Sequence, residues 1–281
     1  MLSNTYVEPT ANGAGGYLKT KDMSDNPFSI PDSFEESYEH YYVPTIHKNW
    51  LLLSDLHFPY HNIASITESL NYGIAKNIDA ILINGDGMDC YLLSKFNPDP
   101  RKRSLKEELD SFGEFLDILR KIAPVYYKLG NHEERLEKFL IVNAPVLLDV
   151  PEYELTNLLH CYARGVEVIS DQKIVYIGHL PVVHGHEVRL AGVSVNPARS
   201  LFLKTKKTAL CGHLHRTSQH NEMTLDGKLI STWSTGHLGE EHPKYARINN
   251  WNHGAARVEV DTDGNFEVIN LRVQKNKFFR S

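Results

Sequence analysis

Trp50-Leu51-Leu52-Leu53-Ser54-Asp55-Leu56-His57 joins a buried-strand run directly to two polar, metal-competent residues. A short continuous apolar run fits a strand covered on both faces. Asp55 and His57 follow two positions apart, so on an extended chain they face the same side, where an oxygen and a nitrogen donor can converge on one ion. Downstream, Ile63, Ile66, Leu70 and Ile74 form a helical stripe within residues 63–76. Ala80–Ile83 reads as a second strand, Leu105–Ile122 as a long amphipathic helix, Val125–Leu129 as a third strand and His132–Val142 as another helix. Strand alternating with helix implies βαβ units on a central sheet.

The second half is richer in strands: Val166–Ile169, Lys173–Ile177, Val182–Val183, Thr208–Leu210, Lys228–Trp233, Ala256–Val260 and Phe266–Val273. Asp226-Gly227 and Asp263-Gly264 mark tight turns. The expected architecture is α/β, with two sheets face to face and helices outside. Residues 1–44 contrast with this, carrying Gly13, Gly15, Gly16 and little apolar periodicity before Tyr41-Tyr42-Val43. They read as an extended or partly disordered arm, a passive tail or an oligomerisation element, followed by one domain over residues 45–281.

Of the 281 residues, 41% are hydrophobic and 23% charged, the balance of a globular protein with a sizeable core. A net charge of −5 lacks the bulk positive field of a non-specific nucleic-acid binder, although two bound divalent ions would add about four positive charges at one spot. Cys90, Cys161 and Cys211 form no C-x-x-C pair, which argues against a disulfide framework or zinc ribbon and fits a reducing, cytoplasmic setting. The N-terminal residues carry no signal-peptide pattern, and no apolar run reaches membrane-spanning length.

Four further clusters stand behind the other strands. Gly85-Asp86-Gly87-Met88-Asp89 follows the second strand and Gly130-Asn131-His132-Glu133 the third. His184-Gly185-His186 follows Val182-Val183, and Gly212-His213-Leu214-His215 follows the strand at Thr208–Leu210. Ligand sites in α/β sheets lie at the carboxyl ends of strands, so these groups are expected to meet in one crevice. Each cluster alone is a weak signal. Five in order, holding six of the 15 histidines, are hard to explain as scattered surface residues.

The ordered set D-x-H, G-D-x-x-D, G-N-H-E, H-G-H and G-H-x-H resembles the calcineurin-like metallophosphoesterase superfamily. The resemblance implies a four-layer αββα sandwich with a metal pair at the strand ends. It implies a first metal on Asp55, His57, Asp86 and His215, and a second on Asp86, Asn131, His184 and His213, Asp86 bridging. His186 is a nearby rival to His184. The mixed nitrogen and carboxylate donors suit manganese, with iron, zinc or nickel as alternatives, better than calcium. Two such ions about 3.5–4 Å apart lower the pKa of a shared water and make hydroxide available near neutral pH for in-line attack on phosphorus. By the same resemblance His132 faces the substrate and protonates the leaving oxygen. Asp89 orients it, with a helix cap as the alternative role.

Arg135, Arg189 and Arg216 lie close to the clusters and are candidate substrate contacts; Arg135 could equally pair with a neighbouring carboxylate. Glu133 and Glu134 need no role beyond complementing a helix dipole. Arg101, Lys102, Arg103 and Lys106 read as a solvated surface or a rim guiding a phosphate backbone. Trp233, Trp251 and His253 read as pocket walls or core. The protein Ser/Thr phosphatase branch carries an Arg-Gly after its second Asp, where this chain has Cys90-Tyr91; the sequence is similar instead to bacterial and phage-type phosphoesterases. The reading favours a phosphodiesterase or nuclease acting on nucleic acid or a nucleotide. The alternatives are a phosphomonoesterase and a non-catalytic metal-binding scaffold.

Overall fold

The computed structural model describes residues 27–31, 38–95, 104–190, 195–243, 246–274 and 277–280. The chain divides into two units, residues 1–39 and His40–Ser281. Most of the segment read as an arm, and Arg101, Lys102 and Arg103, lie outside the described residues.

In the second unit the strands are β1 Tyr41–Tyr42, β2 Asn49–Leu53, β3 Ala80–Asn84, β4 Val125–Lys128, β5 Val166–Ile169, β6 Val175–Ile177 and β7 Leu180–Val183. They continue with β8 Ala209–Cys211, β9 Ser218–Met223, β10 Leu229–Ser234, β11 Gly254–Val260, β12 Phe266–Gln274 and β13 Lys277–Arg280. The helices are α1 Ile63–Ala75, α2 Leu105–Arg120, α3 Glu134–Asn143, α4 Leu155–Leu158 and α5 Pro197–Thr205. Among the described residues one sheet runs β13-β12-β11-β2-β3-β4-β5 and the other β1-β6-β7-β8-β10-β9. Strands β2 to β5 are parallel neighbours, and β11 adds antiparallel to β2.

Period-two alternation in β2 sorts its side chains between two cores. Trp50 and Leu52 join Leu82, Ile177, Val182, Leu210 and Trp233 between the sheets. Leu51 and Leu53 face the other way, against Ile66 of α1, Phe112 and Leu116 of α2 and Leu136 of α3. Leu201 of α5 covers Val183 and Cys211 on the far side of the second sheet. The layers are therefore helix, sheet, sheet, helix, an αββα sandwich. Helix α2 begins where Ser104 accepts from the Glu107 amide and Glu107 accepts from the Ser104 amide, a reciprocal cap.

Two boundaries differ from the sequence reading. Tyr41–Tyr42, placed in the arm, form β1 and pair parallel with β6. Helix α3 starts at Glu134, which leaves His132 on a turn before it. Of the two readings left open for Trp233, pocket wall or core, the structure gives the inter-sheet core.

Candidate metal centre

The ends of β2, β3 and β4 in one sheet and of β7 and β8 in the other bring the clusters together. The convergence does not come from strand period, as the extended reading of Asp55 and His57 expected, because β2 stops at Leu53. Asp55, His57, Asp86, His213 and His215 instead adopt φ of 56°, 51°, 51°, 66° and 56°. Left-handed backbone is uncommon for side-chain-bearing residues and costs about 1–2 kcal/mol each. Here it turns successive side chains inward. Backbone pairing holds the first two loops together: the Asp55 amide donates to Gly85 O (3.1 Å) and the His57 amide to Asp86 O (3.0 Å).

Each carboxylate uses one oxygen on the protein and aims the other inward. Asp55 Oδ2 accepts from Ser54 Oγ (2.5 Å) and from the His213 amide (2.9 Å). Its Oδ1 lies 3.2 Å from His215 Nε2, and His57 Nε2 lies 3.1 Å from the same atom. Asp86 Oδ1 accepts from the His132 amide (3.0 Å), while Oδ2 lies 3.2 Å from His184 Nε2. His184 directs Nδ1 at Asn84 O (2.7 Å), which fixes its tautomer and turns Nε2 toward Asp86. Potential ligand atoms therefore gather as Asp55, His57 and His215, as Asp86, His184 and His213, and as His57, Asp86 and His132, with Asp86 common to two groups. His186 points elsewhere, toward Glu134 and Asp171.

Electrostatics match this crowding. Burial opposes ionisation of Asp86, yet His184 and His132 hold its carboxyl well below the usual range. Burial likewise would lower His184, but Asp86 beside it pushes its pKa up to about 10. Burial and then the His184 charge press His213 down to about 4.

The residues fit a pair of cations. Asp55 Oδ1, Asn131 Oδ1 and His184 Nε2 are shielded from solvent and make no hydrogen bond, although buried polar atoms are normally paired. The glycines keep the backbone close. A Cβ at Gly130 would lie 2.4 Å from Asp86 Oδ1, and one at Gly212 would lie 2.7 Å from Asp55 Oδ2.

Asp89 Oδ1 lies 3.2 Å from both His57 Nδ1 and His132 Nδ1, so one carboxylate steadies two rings. Arg135 donates to Asp89 O (2.8 Å) and to His132 Nε2 (2.9 Å). Of the other candidate arginines, Arg216 is half-buried beside His215 and Arg189 is exposed on the turn after His186. Trp251 packs edge-on to His215 (4.4 Å between centroids), and His237 stacks on the same ring (4.8 Å).

Glu133 does more than complement a helix dipole. It is buried, and its two oxygens accept from the amides of Asp86 (3.0 Å), Met88 (3.0 Å) and Gly130 (2.7 Å) and from Tyr127 Oη (2.7 Å). This single carboxylate ties the Asp86 loop to the Asn131 loop. Glu133→Gln turns one acceptor into a donor facing N–H groups, and is expected to cost about 3 kcal/mol of stability. Urea denaturation followed by circular dichroism reads this directly; a loss under 1 kcal/mol would remove Glu133 from the scaffold of the centre.

A family model for the calcineurin-like phosphoesterases matches residues 49–217, more than half of the chain. The chain belongs to the calcineurin-like phosphoesterase family. The matched span includes all five clusters and so the whole candidate centre of this phosphoesterase fold. No curated protein sequence gave a match. Among solved structures, Vps29 from Entamoeba histolytica aligns at 15% identity with a TM-score of 0.43, covering 83% of this chain and 98% of its own. The Cryptosporidium parvum vacuolar protein sorting 29 aligns at 15% identity and 0.44, covering 84% and 96%. A dimetal phosphatase from Danio rerio aligns at 12% and 0.42, covering 80% and 96%. Among the described residues no helix is long and apolar enough to cross a membrane.

Proposed function

We propose that this chain is a metal-dependent hydrolase of phosphodiesters, with nucleic acids or nucleotides as the substrate class. The observation that supports the reading is three close donor groups (Asp55, His57 and His215; His57, Asp86 and His132; Asp86, His184 and His213) linked through His57 and Asp86, with Asn131 Oδ1 shielded from solvent and making no hydrogen bond. Asp55, His57, Asp86 and His215 would hold one cation, and Asp86, Asn131, His184 and His213 the other. When bound, the pair supplies Lewis acidity, lowering the pKa of water and offsetting charge on the phosphoryl oxygens.

The chain's own residues supply the rest. His132 gives Nδ1 to Asp89, 2.9 Å from the carbonyl and 3.2 Å from the carboxylate, which leaves Nε2 facing the centre. Burial would lower its pKa, but Asp86 and Asp89 raise it above the ordinary value, as suits a group that must carry a proton to a leaving oxygen. Arg135 covers Nε2; when its guanidinium swings to a phosphoryl oxygen, the ring is freed to donate. Arg189 and Arg216 are further candidates for substrate contact. The stretch Asp86–Tyr91 carries Cys90-Tyr91 in place of the Arg-Gly of the protein Ser/Thr phosphatase branch, which disfavours a phosphoprotein as substrate.

With manganese added, the protein is expected to hydrolyse bis-p-nitrophenyl phosphate faster than p-nitrophenyl phosphate. Excess chelator should abolish the activity, and Asn131→Ala should lower it at least about 100-fold, the scale of removing one oriented electrostatic group. A preference for the monoester would replace the diester reading with a phosphomonoesterase. Equal turnover by wild type and Asn131→Ala would detach the activity from this centre, and no turnover of either ester with metal verified as bound would leave a scaffold that only binds metal.

A further inference from the structure

Beside the dinuclear centre, Glu134 at the start of α3, Asp171 in the loop after β5 and His186 after β7 bring a carboxylate, a second carboxylate and an imidazole together. We propose that these three side chains form a third divalent-cation site, for manganese or magnesium, separate from the pair centred on Asp86.

Three observations carry it. The first is spacing. His186 Nε2 lies 3.4 Å from Glu134 Oε1 and 3.9 Å from Asp171 Oδ2. Charge-assisted hydrogen bonds between such groups close to about 2.7–2.9 Å. Donors about 2.1 Å from a common ion stand roughly 3.0–3.5 Å apart at octahedral or tetrahedral angles; the 3.4 Å Glu134–His186 spacing meets this, and Asp171 Oδ2, at 3.9 Å, closes in by a few tenths of an ångström to join them. The Asp86–His184 and Asp55–His215 contacts, both 3.2 Å, have the same character.

The second is the state of His186. Both of its ring nitrogens are shielded from solvent and make no hydrogen bond. Nε2 faces Glu134 and Asp171, while Glu187 Oε2 stands 3.5 Å from Nδ1. A carboxylate behind the ring and ligands in front is the usual setting of a metal-bound histidine.

The third is rigidity. Lys128, on β4, has a fully buried side chain, and its Nζ donates to Asp171 O (2.6 Å) and pairs with Glu187 Oε1 (2.9 Å). Glu187 also accepts from the amides of His184 (2.9 Å) and Gly185 (2.6 Å). One buried ammonium therefore fixes the Asp171 loop and the His184–His186 turn against each other. Glu134 is paired with Lys138 through its other oxygen, and Asp171 Oδ2 also accepts from Gln172 Nε2 (2.6 Å). Each acceptor retains a lone pair for an ion. One nitrogen and two carboxylates suit manganese or magnesium better than a thiophilic metal.

The ring centroids of His186 and His184 are 5.4 Å apart, so a cation here adds positive charge next to the dinuclear centre. A phosphoryl group adjoining the one under attack would meet it.

Equilibrium dialysis against manganese, followed by elemental analysis, should give three manganese ions per chain for the wild type and two for the Glu134→Gln/Asp171→Asn double variant. Equal stoichiometry in the two proteins overturns the proposal. A wild type that holds one ion fewer than three, with one more lost in the variant, supports this site and counts instead against the dinuclear centre. Crystals of the wild type soaked in manganese provide a measurement that needs no variant. An anomalous peak between Glu134, Asp171 and His186 supports the site, and its absence at saturating manganese overturns it.

Discussion

Asp86→Asn is expected to reduce phosphoester turnover at least about 1,000-fold and to leave the dinuclear centre with fewer than two ions. Several kcal/mol of transition-state stabilisation by a metal pair corresponds to that factor. Asp86 is the carboxylate common to two donor groups, and its oxygens are divided: Oδ1 accepts from the His132 amide and Oδ2 faces His184. The amide of asparagine keeps the size but removes the charge and puts N–H groups on one side. His184 then faces a dipole where a carboxylate had set its pKa, and the two halves of the centre lose their common ligand. Elemental analysis alongside turnover separates loss of ions from loss of chemistry. Activity within tenfold of wild type would mean that Asp86 is not the shared ligand.

His132→Ala should show a different signature, with metal content unchanged and the loss of rate governed by the leaving group. Acid catalysis contributes about 10²–10⁴-fold when the departing oxygen is a poor leaving group that must be protonated. A dinucleotide, with its alkoxide leaving group, should therefore suffer a loss in that range. A p-nitrophenyl diester, whose phenolate leaves unaided, should lose much less. The geometry motivates the contrast, since His132 Nδ1 is held by Asp89 and only Nε2 faces the centre. Equal losses on both substrates would reassign His132 to phosphate binding or to packing against His57, whose ring centroid is 4.5 Å away.

The sandwich was legible because its central strands are short, continuous apolar runs. Ala80–Ile83 and Trp50–Leu53 carry no polar residue that could face water. The edges were harder to read. Strand β9, Ser-Gln-His-Asn-Glu-Met, is polar because it is an edge strand paired only with β10, and most of its side chains are exposed. The N-terminus of α5 did carry a signal, since Asn196 caps it and Pro197 opens it, a pairing that favours helix initiation.

In the candidate centre, residue types and order at strand ends were legible, whereas long-range partnerships were not. Glu133 looked like an ordinary first-turn acid because its partners, Asp86 and Met88, are remote in sequence. His237 stands in no motif, and only folding brings it against His215. The left-handed conformations of Asp55 and Asp86 were also beyond sequence, because nothing local demands φ > 0 from an aspartate.

The donors divide between the sheets, with Asp55, His57, Asp86 and Asn131 beyond β2, β3 and β4 and His184, His213 and His215 beyond β7 and β8. A cation gripped from both sides acts as a rivet across the seam of the sandwich. Unfolding must then release it, and stability gains about 2.7 kcal/mol at a free-ion concentration one hundred times the dissociation constant. In this architecture a bound metal would raise the free energy needed to part the two sheets.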